Sequence, residues 1–128
     1  MSPNPTHMKN LTIALANDHP QLREGFTSLL ESMGHTVCVQ ADNGWDLLRQ
    51  LNSSTTQPRV CIMDLHMPVM DGFELAKQIK EIYPGMKVVA FSMSGNREEI
   101  EQVLACGADS FVHKGEFEEL QELLLSYS

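Results

Sequence analysis

The sequence predicts an α/β fold, a doubly wound (βα)5 sandwich on a five-stranded parallel sheet. Three observations predict it. Short, nearly all-apolar runs alternate with longer segments whose apolar residues recur at helical spacing. The apolar runs carry little polar alternation, which marks strands covered on both faces. Consecutive strand–helix units joined by right-handed crossovers then place helices on both sides of one sheet.

Each element has its own justification. "LTIALA" (residues 11–16) reads as a short buried strand. "PQLREGFTSLLESMG" follows as a helix, with Leu22, Phe26, Leu29, Leu30 and Met33 on the expected inner face. Pro20 suits its first turn and Gly34 its end. "HTVCVQA" is a β-branched strand, and "GWDLLRQLN" a short helix turning Leu47, Leu48 and Leu51 inward. "RVCIMD" is a strand, and "GFELAKQIKEIY" a helix closed by Pro84-Gly85. "MKVVAFS" is the fourth strand. "NREEIEQVLACG" is a helix with Ile100, Val103 and Leu104 on one side and Gly107 past its end. "SFVHK" is the last strand, and "EFEELQELLLSY" a final helix packed through Phe117, Leu120, Leu124 and Tyr127. The arrangement is flavodoxin-like. Residues 1–9 are polar and hold two prolines. They are expected to form a disordered tail, with His7-Met8 resembling a vector scar before a native start near Met8. The domain is expected over residues 10–128.

Composition narrows the function. A chain of 128 residues suffices for one domain with one core and no staples. A formal charge of -8 repels phosphate backbones, so direct nucleic-acid binding by this domain is not expected. Cys38, Cys61 and Cys106 are odd in number and widely spaced. They are expected to be small core residues in a reducing cytoplasm. The five histidines show no metal-ligand spacing. No stretch approaches the roughly 20 apolar residues of a membrane span, and no signal peptide is visible. A cytoplasmic location without membrane attachment is expected.

Ligands of doubly wound sheets sit outside the carboxyl ends of the strands. In this chain those ends carry chemistry. The first strand runs into Asn17-Asp18, the third into Asp64, the fourth into Ser92 and the fifth into Lys114. Two carboxylates on one edge repel each other unless a cation neutralises them, and a hard divalent ion such as Mg²⁺ does so through oxygen ligands. A carboxylate is also a nucleophile toward phosphorus, giving an acyl phosphate. Phosphoryl transfer asks mainly for positioning and charge neutralisation. Simpler readings remain for each residue alone. Asp18 could cap a helix, Asp64 could be a turn residue, Ser92 with Ser94 could cap the next helix, and Lys114 could be a solvated lysine.

The stretch "DLHMPVMDG" (residues 64–72) resembles the pattern around the phosphorylated aspartate of response-regulator receiver domains. The resemblance covers the chain from about Lys9 to Leu125. "IALANDHPQLREGFTSLLE" further resembles receivers of the NarL/FixJ group, which precede a LuxR-type helix-turn-helix. The resemblance implies that Asp64 is the phosphoacceptor and that Asp18 and Asp64 bind Mg²⁺ with the backbone carbonyl of His66. It implies that Ser92 is the switch hydroxyl, Lys114 the phosphate-binding lysine and Phe111 the switch aromatic. It further implies a histidine kinase (or phosphotransfer protein) as donor, and a DNA-binding output domain in the full-length protein. One departure stands out. The family usually shows two acids in the first loop, where this chain has Asn17-Asp18; Asn17 keeps an oxygen but loses a charge, and could still reach a metal through water. Met93, bulky and directly after Ser92, is expected to shield the acyl phosphate from water.

The expected output face comprises the fourth helix, the fifth strand and the fifth helix, with a homodimer as one use of it. Glu98, Glu99 and Glu101 on that helix fit either a docking surface or a solvated acidic face. Other functions fit the sequence less well. A haloacid-dehalogenase-type enzyme would want an acid where His66 stands. A flavodoxin-like cofactor protein would want a phosphate-binding loop where "ANDHPQ" stands. The alternative that remains is a receiver-like interaction module that takes no phosphate. The domain is not expected to be an enzyme beyond assisting its own phosphotransfer and dephosphorylation.

Overall fold

The chain alternates as its pattern predicts: β1 (Thr12–Ala16), α1 (Pro20–Ser32), β2 (Thr36–Ala41), α2 (Gly44–Ser53), β3 (Val60–Met63), α3 (Gly72–Ile82), β4 (Lys87–Ser92), α4 (Arg97–Ala105), β5 (Ser110–His113) and α5 (Phe117–Tyr127). The structure is a computed structural model that describes residues 11–127. The tail expected at residues 1–9 lies outside the described residues. Every strand pairing is parallel, and the sheet order is β2-β1-β3-β4-β5. Strand order therefore reverses between β1 and β3, where a crevice opens at the carboxyl edge.

The pleat divides the core into two layers. Ile13, Leu15, Ile62, Val89 and Phe91 face α1 and α5, meeting Leu30, Leu120 and Leu124. Ala14, Ala16, Cys61, Met63, Val88 and Ala90 face α2, α3 and α4, meeting Leu47, Leu75, Ile79 and Val103. Residues of β1, β3 and β4 are buried almost throughout, as a covered parallel sheet requires.

Three packing expectations need correction. On α1, Leu22 and Leu29 are exposed, and the buried positions are Thr27 and Leu30. The inner stripe of this helix is narrower than its leucine content suggests, because it covers only one strip of sheet beside α5. On α4, Val103 is buried while Leu104 is exposed. Among the cysteines, Cys61 is fully buried, Cys106 half-buried and Cys38 exposed. Cys38 lies on edge strand β2, where burial alternates with the pleat and only Val39 and Ala41 reach the core. Burial pushes the Cys61 thiol up to about 12, which keeps it protonated and inert.

Helix starts follow local chemistry. Asn43, Asp71 and Asn96 cap α2, α3 and α4, each side chain accepting from the third backbone N–H beyond it. Helix α1 begins at His19 without a side-chain cap, with Pro20 in its first turn. Gly34 and Gly107, both at positive φ, end α1 and α4 as the sequence predicts. Among the described residues no helix is long and apolar enough to cross a membrane.

His35 sits in the turn between α1 and β2, is nearly buried, and its Nδ1 accepts from the Leu11 N–H at 3.3 Å. Burial lowers its pKa from the ordinary value. The unfolded chain therefore binds a proton more readily than the native one. The stability due to neutral His35 is present above the unfolded pKa of about 6.5 and is lost as pH falls below it. The midpoint of thermal unfolding should fall from about pH 7.5 to about pH 5.5. That fall should flatten in His35→Gln; an identical slope in the variant would exclude this role.

Candidate functional site

Backbone hydrogen bonds carry the ladders one residue past the strands. The Asp64 N–H donates to the Ala16 carbonyl at 3.0 Å, the Lys114 N–H to the Ser92 carbonyl at 2.9 Å, and the Asn17 N–H to the Ala41 carbonyl at 3.0 Å. The strand ends are thereby aligned on one edge. Lys114 Nζ donates to Asp64 Oδ2 at 3.0 Å, and Ser92 Oγ donates to Asp64 Oδ1 at 3.0 Å. The Leu65 N–H donates to the same Oδ1 at 2.7 Å. Three of the residues singled out in the sequence therefore meet at one carboxylate.

The cluster is enclosed. The side chains of Lys114 and Asp64 are 12% and 13% exposed, and Ser92 is 2% exposed. A carboxylate this sheltered is costly unless its charge and lone pairs are met. The ammonium meets the charge, and a hydroxyl and an amide fill the remaining direction. The simpler readings fall away for two members. Lys114 is not a solvated lysine, and Ser92 does not cap α4, whose cap is Asn96. Asp64 does bond the start of its own turn, yet it does so while holding Lys114.

The first loop is arranged differently. Asp18 is exposed and does not cap α1. Asn17 is nearly buried; its Oδ1 accepts from the His19 N–H at 2.9 Å and its carbonyl accepts from Arg23 Nη1 at 2.6 Å. The Asn17 oxygen thus shapes the loop. The oxygen donors expected for an ion here are the carboxylates of Asp18 and Asp64 and the backbone carbonyl of His66. Among the described residues no three His, Cys, Asp or Glu side chains gather to hold a metal. This donor set fits a hard ion that keeps most of its waters and takes one or two carboxylates, as Mg²⁺ does. It does not fit a tetrahedral nitrogen–sulfur site.

The loop from Asp64 to Gly72 folds back under the Asp64 main chain. Met67 is buried and Met70 packs on the core. The Met70 N–H donates to the Pro68 carbonyl at 2.7 Å, making a tight turn with Val69 at a φ of 68°. Positive φ at a β-branched residue is strained, so the flanking contacts hold the turn. Gly72 closes it, donating to the Leu65 carbonyl at 2.8 Å. A Cβ at residue 72 would lie 2.3 Å from the Asp64 carbonyl oxygen and 3.0 Å from Leu65 Cα. That contact is with backbone, which cannot rotate aside. Gly72→Ala should destabilise the fold by about 2–4 kcal/mol in urea titration, through overpacking against the acceptor's main chain. A change under about 0.5 kcal/mol, the range of ordinary surface substitutions, would contradict this packing.

Sequence reasoning missed two neighbours. His66 Nε2 lies 3.0 Å from Glu99 Oε2, tying the acceptor loop to α4. Glu99 stood out in the sequence only as part of an acidic face, and nothing local points from α4 to residue 66. Arg23, whose guanidinium clasps the first loop, carried no sequence signal at all. Phe111, the expected switch aromatic, lies half-buried on edge strand β5 beside Ala90 of β4. Met93 is 75% exposed. It lines, with Leu22, Phe26, Leu29 and Phe117, an apolar groove of about 380 Å³ that opens onto Lys114.

The fold and this edge cluster define a doubly wound α/β domain that presents one acid between an ammonium and a hydroxyl at its sheet edge. Comparison with known proteins gives the family. Residues 13–125 match the response regulator receiver domain, and the chain belongs to that family, in its NarL/FixJ-type branch. It is 34% identical over 104 residues to the nitrate/nitrite response regulator protein NarL of Escherichia coli K12, covering 80% of this chain and 47% of that one. It is 31% identical over 114 residues to a putative transcriptional regulator of Pseudomonas aeruginosa, covering 89% of this chain and 53% of that one. The chain thus spans about half the length of these relatives. The receiver domain of the putative response regulator NarL from Mycobacterium tuberculosis superposes with a TM-score of 0.82 at 26% identity, covering 94% of this chain and 98% of that one. A LuxR-family two-component response regulator from Aurantimonas gives the same TM-score and identity over 92% of this chain and 86% of that one. The chain is therefore a receiver domain of a two-component response regulator.

Proposed function

We propose that this receiver takes a phosphoryl group on Asp64 from a phosphohistidine of a partner kinase or phosphotransfer protein. The Asp64 carboxylate held jointly by Lys114 and Ser92 at the strand ends supports the reading. A carboxylate oxygen of Asp64 attacks phosphorus, the P–N bond breaks, and its electron pair returns to the imidazole, which takes up a proton. The product is an acyl phosphate on Asp64. Mg²⁺, held by Asp18, Asp64 and the His66 carbonyl, would neutralise charge on the transferring group. Lys114 stays within reach of the new phosphoryl oxygens, and Ser92 Oγ is already turned toward the acceptor, so little reorganisation is needed there.

The signal follows from charge. Phosphorylation replaces one negative charge with roughly two and adds strong acceptors. Moving a two-state balance from 1:99 to 99:1 takes about 5.5 kcal/mol. Two charge-assisted hydrogen bonds, each worth about 1.5–3 kcal/mol, approach that value. The elements they bias are the β4–α4 loop, α4 and Phe111, and through them the face of α4, β5 and α5. That face would meet an output domain, of a DNA-binding kind that fits the transcriptional regulator among the longer relatives, or a second copy.

Incubation with acetyl phosphate and Mg²⁺ should add one phosphoryl group by intact mass, and Asp64→Ala should abolish the gain. Absence of any gain would favour the second reading, an interaction module that takes no phosphate. That reading draws on one observation, the Asn17 oxygen committed to the His19 N–H. Since Asn17 brings no charge to the edge, Asn17→Asp should tighten Mg²⁺ binding by about tenfold, followed by titration of Trp45 fluorescence. Equal affinities would remove Asn17 from the account.

A further inference from the structure

We propose that Gly95 sets the resting position of the Phe111 ring, so that the size of the side chain at residue 95 decides the balance of the switch. The inference rests on the phosphoryl-switch reading and names a residue that it leaves out. The backbone does not demand glycine there: among the described residues the positive-φ glycines are Gly34 and Gly107. Space demands it. A Cβ at residue 95 would lie 2.5 Å from Phe111 Cζ and 3.0 Å from Cε2. Carbon atoms pack at about 3.5–4.0 Å, so the tip of the ring rests on the bare Cα of Gly95.

Either the loop or the ring must yield to a larger residue. The loop is tethered from two sides. Asn96 Oδ1 accepts from the Glu99 N–H at 2.8 Å, and Glu99 in turn meets His66 across the acceptor loop at 3.0 Å. The ring is held by packing alone, edge-on to His113 at 4.9 Å on the partly open edge strand. Its χ1 has other staggered wells. An inward well would carry it toward β4, where its paired residue Ala90 has a small side chain and burial would reward the ring. Ser92 follows two residues later on that strand. A side chain at residue 95 thus drives the ring, without phosphate, inward toward the space that Ser92 would vacate on turning to a bound phosphoryl group. Glycine keeps the resting state.

NMR of unphosphorylated protein tests this in the parent, in Gly95→Ala, and in both again with Phe111→Leu, which lacks the ring tip. The parent should show an NOE between the Phe111 ring and the Gly95 Hα. Gly95→Ala should lose contact between the ring and residue 95. Its amides in α4 and β5 should move in the direction that acetyl phosphate moves them in the parent. In the Phe111→Leu background the same substitution should leave those amides in place, and the folded double variant shows that the backbone accepts alanine. A ring still in contact with residue 95, or equal amide shifts with and without the ring, would overturn the proposal. Failure of the parent to gain a phosphoryl group on Asp64 would instead sink the switch reading, and the ring position in the unphosphorylated variants would still decide this one.

Discussion

The ion pair between Asp64 and Lys114 sets the terms for the rest of the site. Both side chains are about nine-tenths enclosed. Enclosure makes the carboxylate strongly felt by anything cationic and expensive to leave alone. It also requires that β3 and β5, which do not touch, end at the same height with β4 between them. The parallel register supplies this: Met63 pairs Ala90, and Ser92 pairs His113. Ser92 closes the middle strand and fills the second carboxylate direction. A one-residue slip in either ladder would turn one of the partners to the opposite face.

The surroundings of Asp64 pack against its main chain on one side and link it to α4 on the other. Gly72 presses on the acceptor backbone from below, and Met67 anchors the loop in the core. Val69 carries the strain of the turn at the exposed tip, where no packing is lost by it. On the other side, α4 is joined to the loop after Asp64 through Glu99 and His66, and the β4–α4 loop is touched by Phe111 at Gly95. Asp64 thus has backbone packing on one side and a chain of side-chain contacts to α4 and Phe111 on the other, which suits the proposed two-state element biased by added charge.

Much of this was legible in the sequence, for identifiable reasons. The ten elements followed from apolar runs and helical spacing, because a covered parallel sheet leaves little room for exceptions on β1, β3 and β4. Gly34, Gly107 and Pro20 marked helix ends through backbone preference alone. The strand ends pointed to Asp64, Ser92 and Lys114, because doubly wound sheets gather their chemistry there. Exposure of Leu22, Leu29 and Cys38 was not legible, since it depends on which helices flank α1 and on β2 lying at the sheet edge. The pairing of His66 with Glu99 and the grip of Arg23 on Asn17 arise between separate segments, and no local pattern encodes them. The close approach of Phe111 to Gly95 was hidden for the same reason: a glycine before a helix reads as a turn until the ring above it is seen.

The central claim is that the carboxylate of Asp64, and no other group in the chain, becomes covalently bound to phosphorus. Reductive trapping reads this directly. Borohydride reduces an aspartyl phosphate to homoserine, so peptide sequencing after reduction of phosphorylated protein locates the acceptor. The account requires homoserine at position 64. Homoserine at another aspartate, or phosphate retained on a histidine or hydroxyl residue with Asp64 unchanged, would contradict it.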